Sequence, residues 1–186
     1  MAALIRAQHR FLGRRTLILT GERAEESRAR AHYATFEPDR TDTRNGSRRQ
    51  RHVDHWRPVH AMTERDVWAL LKRYGIVPAP AYRLGWSRLS CIACIFGGAD
   101  QWATLRHIAP TMFEQIAAYE DRFDRTIHRT MTVRARADRG RPYAAAIEQP
   151  GLARAAMQST WTEPVRVSPH AWHLPAGAFG ASLGPS

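Results

Sequence analysis

The apolar positions in the first sixty residues predict two short strands separated by a polar loop. Residues 16–20, TLILT, are apolar and partly β-branched and end at Gly21, which indicates a buried strand that leads into a loop. Residues 53–59 indicate a second strand. Between them, residues 37–51 show no apolar periodicity and contain five arginines together with proline and glycine. We therefore predict a mobile or ligand-ordered loop there.

The clearest helical pattern follows Thr63, which is a good N-terminal cap with Asp66 three residues later. Apolar residues then recur at the spacing of one helix face, at Val67, Leu70, Leu71 and Tyr74. Gly75 stands where glycine commonly terminates a helix. The pattern predicts a helix between Thr63 and Gly75.

The remaining sequence predicts an ordered loop, two helices and a tail. Residues 81–98 hold glycines, aromatic residues and both cysteines, and a helix is expected over about 99–107. Pro110 can open another helix, whose apolar side would carry Met112, Ile116, Tyr119, Phe123 and Ile127. After residue 130 the periodicity ends, and small residues, arginines and prolines dominate. We therefore predict a domain over residues 1–130 and a loosely ordered tail over 131–186.

The composition predicts a soluble protein with anionic partners. Hydrophobic residues make up 44% of the 186 residues, and no run approaches the ~18 apolar residues of a membrane span. The first residues lack the features of a secretory signal, so we expect a cytoplasmic protein. The net charge of +11 comes almost entirely from arginines, since Lys72 is the single lysine. Such a charge favours nucleotides, sulfate esters or nucleic acid as partners, although a GC-rich genome also enriches arginine.

Two cysteines, Cys91 and Cys94, are too few for a disulfide framework. Thiols at this spacing could share a metal ion, hold half of an iron–sulfur cluster or form a redox pair. Zinc sites and 4Fe–4S clusters usually have four ligands, so two buried structural cysteines are an equal alternative.

A charged turn over residues 21–27 follows the first predicted strand. Arg23 would project from the strand end where open α/β sheets bind ligands, and its guanidinium could hold a phosphate or sulfate. Alternatively, the turn is solvated and Arg23 pairs with Glu25 or Glu26. The arginine-rich loop over 40–51 leaves a similar choice between clamping an anionic substrate or nucleic acid and remaining solvated.

Three segments together resemble the phosphoadenosine phosphosulfate (PAPS) reductase family of the adenine nucleotide α-hydrolase-like superfamily. They are GERAEESRARA at 21–31, the run at 56–96 with RPVHAMTERDVW and RLSCIAC, and the helical run after it. The family's elements follow in order over about residues 15–130, from a strand and Gly-x-Arg-Ala-x-Glu-Ser to Trp-x-Pro-Val and Arg-x-Ser-Cys-x-x-Cys. Phage and bacterial PAPS reductase-like proteins and the sulfurtransferases of DNA phosphorothioation are the most similar subgroup.

The resemblance implies an α/β, Rossmann-like fold with a mostly parallel sheet, C-terminal helices and a disordered tail. Such a fold binds an adenylyl nucleotide, PAPS or ATP, at the carboxyl edge of its strands. Arg23, Glu26 and Ser27 fall on the family's phosphate-proximal motif, and Arg88 falls on the basic residue ahead of the cysteines. The resemblance therefore implies that these four residues contact the nucleotide or sulfate.

Cys91 and Cys94 fall on a Cys-x-x-Cys that in several family members helps to hold an iron–sulfur cluster. The family's Ser-Gly-Gly-x-Asp-Ser pyrophosphate loop, its Glu-Cys-Gly nucleophile and its other cluster cysteines do not occur in this sequence. We therefore expect the C-terminal portion of the fold, which would be inactive alone. The alternatives are a longer true chain, a partner chain that carries the N-terminal half, or a degenerate remnant.

The leading hypothesis is nucleotide-dependent reduction of activated sulfate, with thioredoxin or glutathione as the reductant. A second hypothesis is ATP-dependent sulfur transfer to DNA, as in DNA phosphorothioation. A third, from another class, is a non-catalytic basic module that binds nucleic acid. No membrane partner is expected.

Overall fold

The computed structural model describes residues 1–89 and 91–180, which form two compact units. The first unit spans Met1–Val67, and the second begins at Trp68. Within the described residues, no helix has the length and apolar character that crossing a bilayer requires.

The first unit is built on a small three-stranded sheet. Its elements are α1 (Ala2–Ala7), β1 (Arg15–Leu19), α2 (Arg28–Ala31), β2 (Phe36–Pro38), β3 (His52–Trp56) and the start of α3 (Glu64–Arg73). The strand order is β1-β3-β2. β1 and β3 run parallel, with Arg15 opposite His52 and Leu19 opposite Trp56, whereas β2 is antiparallel to β3. The protein is therefore a mixed α/β protein, as the sequence predicts, with one parallel and one antiparallel pairing.

The position of β1 agrees with the predicted strand, but the prediction that it is buried is wrong. Residues along β1 alternate between exposed and half-buried. Among the described residues of this unit, the fully buried hydrophobic side chains are Ile5 and Val53. A run such as TLILT, apolar on both sides, is typical of a strand that is covered on both faces. Here the described residues cover one face only.

The second unit is helical. After the end of α3 it contains α4 (Pro80–Arg83), α5 (Ala99–Ile108), α6 (Pro110–Phe123), α7 (Val133–Asp138), α8 (Ala144–Glu148) and α9 (Pro150–Ala156). One core cluster joins α5, α6 and α7 through Trp102, Leu105, Phe113, Ala117, Val133 and Ala137. Another cluster joins Leu84 and Trp86 to α8 and α9. Two small cores thus hold this unit together.

α6 begins at Pro110 as predicted, and Met112 and Ile116 of its predicted apolar side pack against the core, but the rest of that side does not. Its buried residues are Phe113, Ala117 and Glu120, whereas Tyr119 and Phe123 are exposed and stack on each other. The reason is the Glu120 carboxylate, which accepts the backbone N–H groups of residues 127 and 133 at 2.8 Å each. A buried charge with satisfied hydrogen bonds leaves no trace in an apolar periodicity.

Residues after 130 are more regular than the sequence predicts, because α7, α8 and α9 form there. Their buried positions are mostly alanines, which give a weak amphipathic signal. Farther on, the backbone of Arg166 forms an isolated antiparallel β-bridge with that of Ile76. The indole N–H of Trp172 also donates to the carbonyl oxygen of Ile76, at 2.7 Å. Residues 181–186 lie outside the described residues, and the domain boundary at residue 130 stays a prediction.

The caps of α3 confirm the predicted helix. Thr63 and Asp66 form the reciprocal hydrogen bonds of a capping box, with the Thr63 N–H donating at 2.9 Å and the Asp66 N–H at 3.2 Å. Gly75 has a φ of +63° and terminates the helix. The chain around Gly75 is then fixed, because its carbonyl oxygen accepts the Val167 N–H at 2.8 Å.

Gly75→Ala should destabilise the protein more than Gly13→Ala, although both glycines have a φ of +63°. An added Cβ at Gly75 would overlap the Val167 carbonyl oxygen, whereas nothing lies within 4 Å of one at Gly13. The left-handed conformation alone costs about 1–2 kcal/mol. We expect Gly75→Ala to lower the free energy of unfolding by about 3 kcal/mol, measured by denaturant titration. Equal losses at the two glycines would contradict the close approach to Val167.

Candidate functional site

The turn that follows β1 brings three of the predicted site residues together: Arg23, Glu26 and Ser27. The Arg23 guanidinium pairs with the carboxylates of Glu25 and Glu26. Glu26 also pairs with Arg30, at 2.7 Å. Ser27 caps α2 by accepting the Arg30 N–H at 3.2 Å. All three predicted residues therefore have partners within the turn or in α2, which follows it.

The sequence left open whether Arg23 holds an anion or pairs with Glu25 or Glu26, and in the structure it pairs with both carboxylates. Its side chain is only 15% exposed, so the turn is not fully solvated. Glu25 in addition accepts the Glu64 N–H at the beginning of α3, where a carboxylate is favourable. An anionic ligand at Arg23 would have to displace one carboxylate. A nucleotide contact at Arg23, Glu26 or Ser27 stays a prediction.

Sequence reasoning missed Arg57, which is the most heavily bonded side chain near this turn. Arg57 is 5% exposed and donates to Glu22 and to Glu37 at 2.7 Å each. It also donates to the carbonyl oxygen of Ala34 at 2.7 Å and lies over the Tyr33 ring. The sequence signal that could have identified Arg57 is its position directly after β3, inside the Trp-x-Pro-Val motif.

A chain of polar side chains extends from Arg57 across the strand ends. The Arg57 guanidinium lies 3.1 Å from Nδ1 of His55, and Nε2 of His55 lies 2.8 Å from the Thr20 hydroxyl. The Thr20 hydroxyl in turn donates to Glu22 at 3.1 Å. This arrangement fits a His55 that accepts at Nδ1 and donates from Nε2. Both ring nitrogens of His55 are therefore used in contacts within the protein.

Charge balance decides what this cluster can bind. Partial burial works to raise the pKa of Glu22, but the hydrogen bonds from Arg57 and Thr20 outweigh it and lower that pKa. Burial works to lower the pKa of Arg57, and the carboxylates of Glu22 and Glu37 more than offset it. One guanidinium therefore faces two carboxylates, and Arg57 has no capacity left for an anionic ligand.

The arginine-rich segment is a loop, as predicted, and it forms hydrogen bonds of its own. Its mobility, or its ordering by a ligand, stays a prediction. Asp42 accepts from Arg44 at 2.8 Å and from the Val53 N–H at 2.7 Å, and Arg44 also pairs with Asp54. Thr41 is buried. The loop still presents three exposed arginines, which are Arg40, Arg48 and Arg49.

The second unit carries the other predicted site residues. Cys91 is exposed, Cys94 is half-buried, and both are free thiols. No group of three or more His, Cys, Asp or Glu side chains among residues 1–89 and 91–180 could hold a metal ion. The two thiols alone do not fit a 4Fe–4S cluster or a closed zinc site, which need four ligands. No chemical step is therefore assigned to a metal.

Arg88 lies on the wall of a mostly apolar cavity of about 370 Å³. The lining includes Leu84, Trp86 and Ile92. Within this lining Arg88 is the charged residue, so it is placed to meet the polar end of a ligand with an apolar body. Its predicted contact with a phosphate or sulfate stays a prediction.

Comparison with known proteins finds a family whose model matches this chain. Residues 3–96 match the model of the phosphoadenosine phosphosulfate reductase domain. A relative from Escherichia phage 186, described as an uncharacterized 37.8 kDa protein in the gpa 5' region, is 36% identical over 104 residues. The match covers 56% of this chain and 29% of the phage protein, so the chain spans less than a third of that relative. No solved structure matches.

Arg57→Met should destabilise the first unit, because it leaves Glu22 and Glu37 close together without their shared cation. Breaking a buried pair costs 3–5 kcal/mol, and the partial exposure of both carboxylates reduces this to about 2–3 kcal/mol. Arg48→Met, in the exposed part of the loop, is the matched control and should change the free energy of unfolding by less than about 0.5 kcal/mol. Equal effects in a denaturant titration would refute the anchoring role of Arg57.

Acid should weaken the loop through Asp42. Hydrogen bonds from Arg44, opposed by burial and assisted by the Val53 N–H, lower the pKa of Asp42 from 3.8 to about 2. A carboxyl group with a lowered folded pKa contributes stability above its ordinary value and loses it as the pH falls towards the folded value. Asp42→Asn should therefore flatten the fall in unfolding free energy between about pH 4 and pH 2. An unchanged slope would show that Asp42 does not carry this dependence.

Proposed function

This chain belongs to the phosphoadenosine phosphosulfate reductase domain family, and on that premise we propose that it binds an adenine nucleotide and takes part in nucleotide-dependent sulfur chemistry. The observation that carries the proposal is the extent of the family match. It runs from α1 to the loop that carries both cysteines and includes all six predicted site residues. The nucleotide is PAPS or ATP, and the leading reaction is the reduction of activated sulfate.

The turn after β1 is suited to an anionic group for a geometric reason. Parallel strands bind ligands at their carboxyl ends, and Arg23 follows the carboxyl end of β1, beside β3. Glu25 and Glu26 hold the Arg23 guanidinium at this position. A phosphate or sulfate would take over one of these carboxylate positions with a stronger bidentate contact. Glu26 and Ser27 would then orient the turn around the ligand.

The reductive reaction needs a thiolate that attacks sulfur and displaces the nucleotide. A second thiol then releases sulfite and leaves a disulfide, which thioredoxin or glutathione reduces. Cys91 and Cys94 are the two thiols of the chain, and Cys91 is open to solvent. Arg88 would steady the sulfate or phosphate group. The attacking thiol is not assigned to either cysteine.

A second candidate function is supported by the surface charge. Arg40, Arg48 and Arg49 are exposed on one loop of a protein whose net charge is +11. Such a surface favours a nucleic-acid backbone, either as the target of ATP-dependent sulfur transfer or as the ligand of a non-catalytic module. DNA affinity that falls steeply with salt, without any nucleotide binding, would favour the module over the enzyme.

Arg23→Ala should weaken the binding of adenosine 3',5'-bisphosphate, the product of sulfate reduction, by roughly 10- to 100-fold. The reason is the loss of a charge-assisted hydrogen bond of about 1.5–3 kcal/mol. Arg28→Ala, on the exposed side of α2, is the matched control and should leave the affinity unchanged. Ligand-observed NMR is a suitable measurement, because it detects millimolar affinities. Equal affinity of the wild-type protein and Arg23→Ala would count against the proposed contact.

A further inference from the structure

The second unit contains a cavity to which the proposed nucleotide chemistry assigns no role. Its volume is about 630 Å³, which lies within the range of ~300–1,000 Å³ that is typical of small-molecule sites. The lining comes from residues 77–83, from α8 with the residue after it, and from residues 163–176. Most of these residues follow residue 96, where the family match ends. We call this cavity the α8 cavity.

Two of the walls of the α8 cavity are fixed to each other. The Val77 N–H donates to the carbonyl oxygen of Val165 at 3.0 Å, which joins the first wall to the last. Pro78 and Pro175 are buried in these walls, and a proline ring locks its own φ. A site whose walls are already in place loses less conformational entropy when a ligand binds. The α8 cavity is therefore preorganised for a small molecule.

Much of the lining is apolar. Trp172 is 7% exposed, and its indole N–H already donates to the carbonyl oxygen of Ile76. What Trp172 offers to a ligand is therefore the carbon surface of its ring. Aliphatic side chains add to this surface, namely those of Val77, Val167 and Leu174. A ligand of the α8 cavity should therefore have an apolar body.

Charged groups of both signs line the same cavity without pairing with each other. They are the half-buried guanidinium of Arg83 and the exposed carboxylates of Glu148 and Glu163. None of these three side chains forms a hydrogen bond or an ion pair with any residue in the ranges 1–89 and 91–180. Elsewhere in the chain, Arg57 and Arg134 each hold two carboxylates. The lining therefore keeps separate charges that one ligand with both signs could satisfy.

We propose that the α8 cavity binds a zwitterionic small molecule with an apolar body, of the class of short apolar peptides with free termini. Arg83 holds the carboxylate, for which a guanidinium supplies a matched pair of donors. Glu148 and Glu163 hold the ammonium group, and the apolar side chains of the ligand pack on Trp172. This proposal does not rest on the proposed function.

The balance of charge in the lining argues against a plain anion as the ligand. Two carboxylates stand there against one guanidinium, although the chain as a whole has a net charge of +11. A nucleotide or an inorganic phosphate would meet an excess of negative charge in the α8 cavity. A dipeptide with free termini has no net charge and matches both signs.

The first test compares three ligands on the wild-type protein. They are leucyl-leucine, its N-acetylated form, which lacks the ammonium group, and its C-terminal amide, which lacks the carboxylate. We expect leucyl-leucine to bind with millimolar or tighter affinity, and each capped form to bind about tenfold more weakly, because it loses a charge-assisted hydrogen bond. Affinities are measured by NMR titration of the labelled protein. Amide hydrogen exchange over residues 163–176 should slow when leucyl-leucine is bound.

The second test assigns the charges to residues. Arg83→Met should lower the affinity for leucyl-leucine about tenfold and leave the affinity for the amide unchanged, because the amide has no carboxylate to lose. Replacing both Glu148 and Glu163 by Gln should have the corresponding effect on the ammonium group and spare the acetylated form. Arg154→Met, at an exposed arginine of α9 outside the lining, is the matched control and should change none of the three affinities.

Several outcomes would overturn the proposal. Equal affinities for leucyl-leucine and its two capped forms would do so, as would a lack of saturable binding up to about 10 mM. An Arg83→Met variant that weakens the dipeptide and its amide equally would remove Arg83 from the carboxylate contact. If a variant does not fold, the comparison of ligands on the wild-type protein still decides.

The experiment also separates this site from the proposed function. Adenosine 3',5'-bisphosphate should not displace leucyl-leucine, and displacement would overturn the assignment of the α8 cavity to a zwitterion. Saturable binding of the dipeptide to a protein that binds no nucleotide would support the α8 cavity and contradict the proposed function. Nucleotide binding without dipeptide binding would do the reverse.

Discussion

A single buried guanidinium holds the ends of all three strands. Glu22 follows β1, Glu37 belongs to β2, and Arg57 follows β3 and binds both carboxylates at 2.7 Å. Because the strands are short, their ladder hydrogen bonds alone give a marginal sheet. The Arg57 contacts fix the carboxyl ends of β1 and β3 side by side, and the position of the Arg23 turn depends on that alignment.

The elements that the sequence predicts well are those with strong local signals. α3 has a capping box and a terminal glycine, and the structure contains both. Its predicted apolar face is not the buried one, because Trp68 is buried whereas Leu70 and Tyr74 are exposed. The buried side of α6 was predicted only in part, because Glu120 is buried by hydrogen bonds to the backbone N–H groups of residues 127 and 133. The hydrogen bonds that Asp42 accepts in the arginine-rich loop could not be predicted for the same reason. Long-range hydrogen bonding of polar side chains has no periodic signature.

The candidate site, like the fold, has some features that the sequence predicts and others that it does not. The motif places Arg23, Glu26 and Ser27 in one turn, and this follows from their closeness in sequence. Their partners do not follow from the sequence, because the carboxylate of Glu25, that of Glu26 or a ligand could each pair with the Arg23 guanidinium. Arg57 could not be found from composition, because a protein with so many arginines gives no reason to single one out. For Cys91 and Cys94 the spacing is visible, but the number of nearby ligands depends on the fold.

The return of the chain to Ile76 has a consequence for biosynthesis. Residues 75–77 are joined to residues 165–167 by backbone hydrogen bonds, and Trp172 is tied to Ile76 by its indole N–H. The second unit therefore cannot be completed while its last part is still inside the ribosome. The segment just after α3 stays unpaired until residues 165–172 have left the ribosome. Its pairing is thus a late step in the folding of this unit, and a chaperone has an interval in which to act on the unpaired segment.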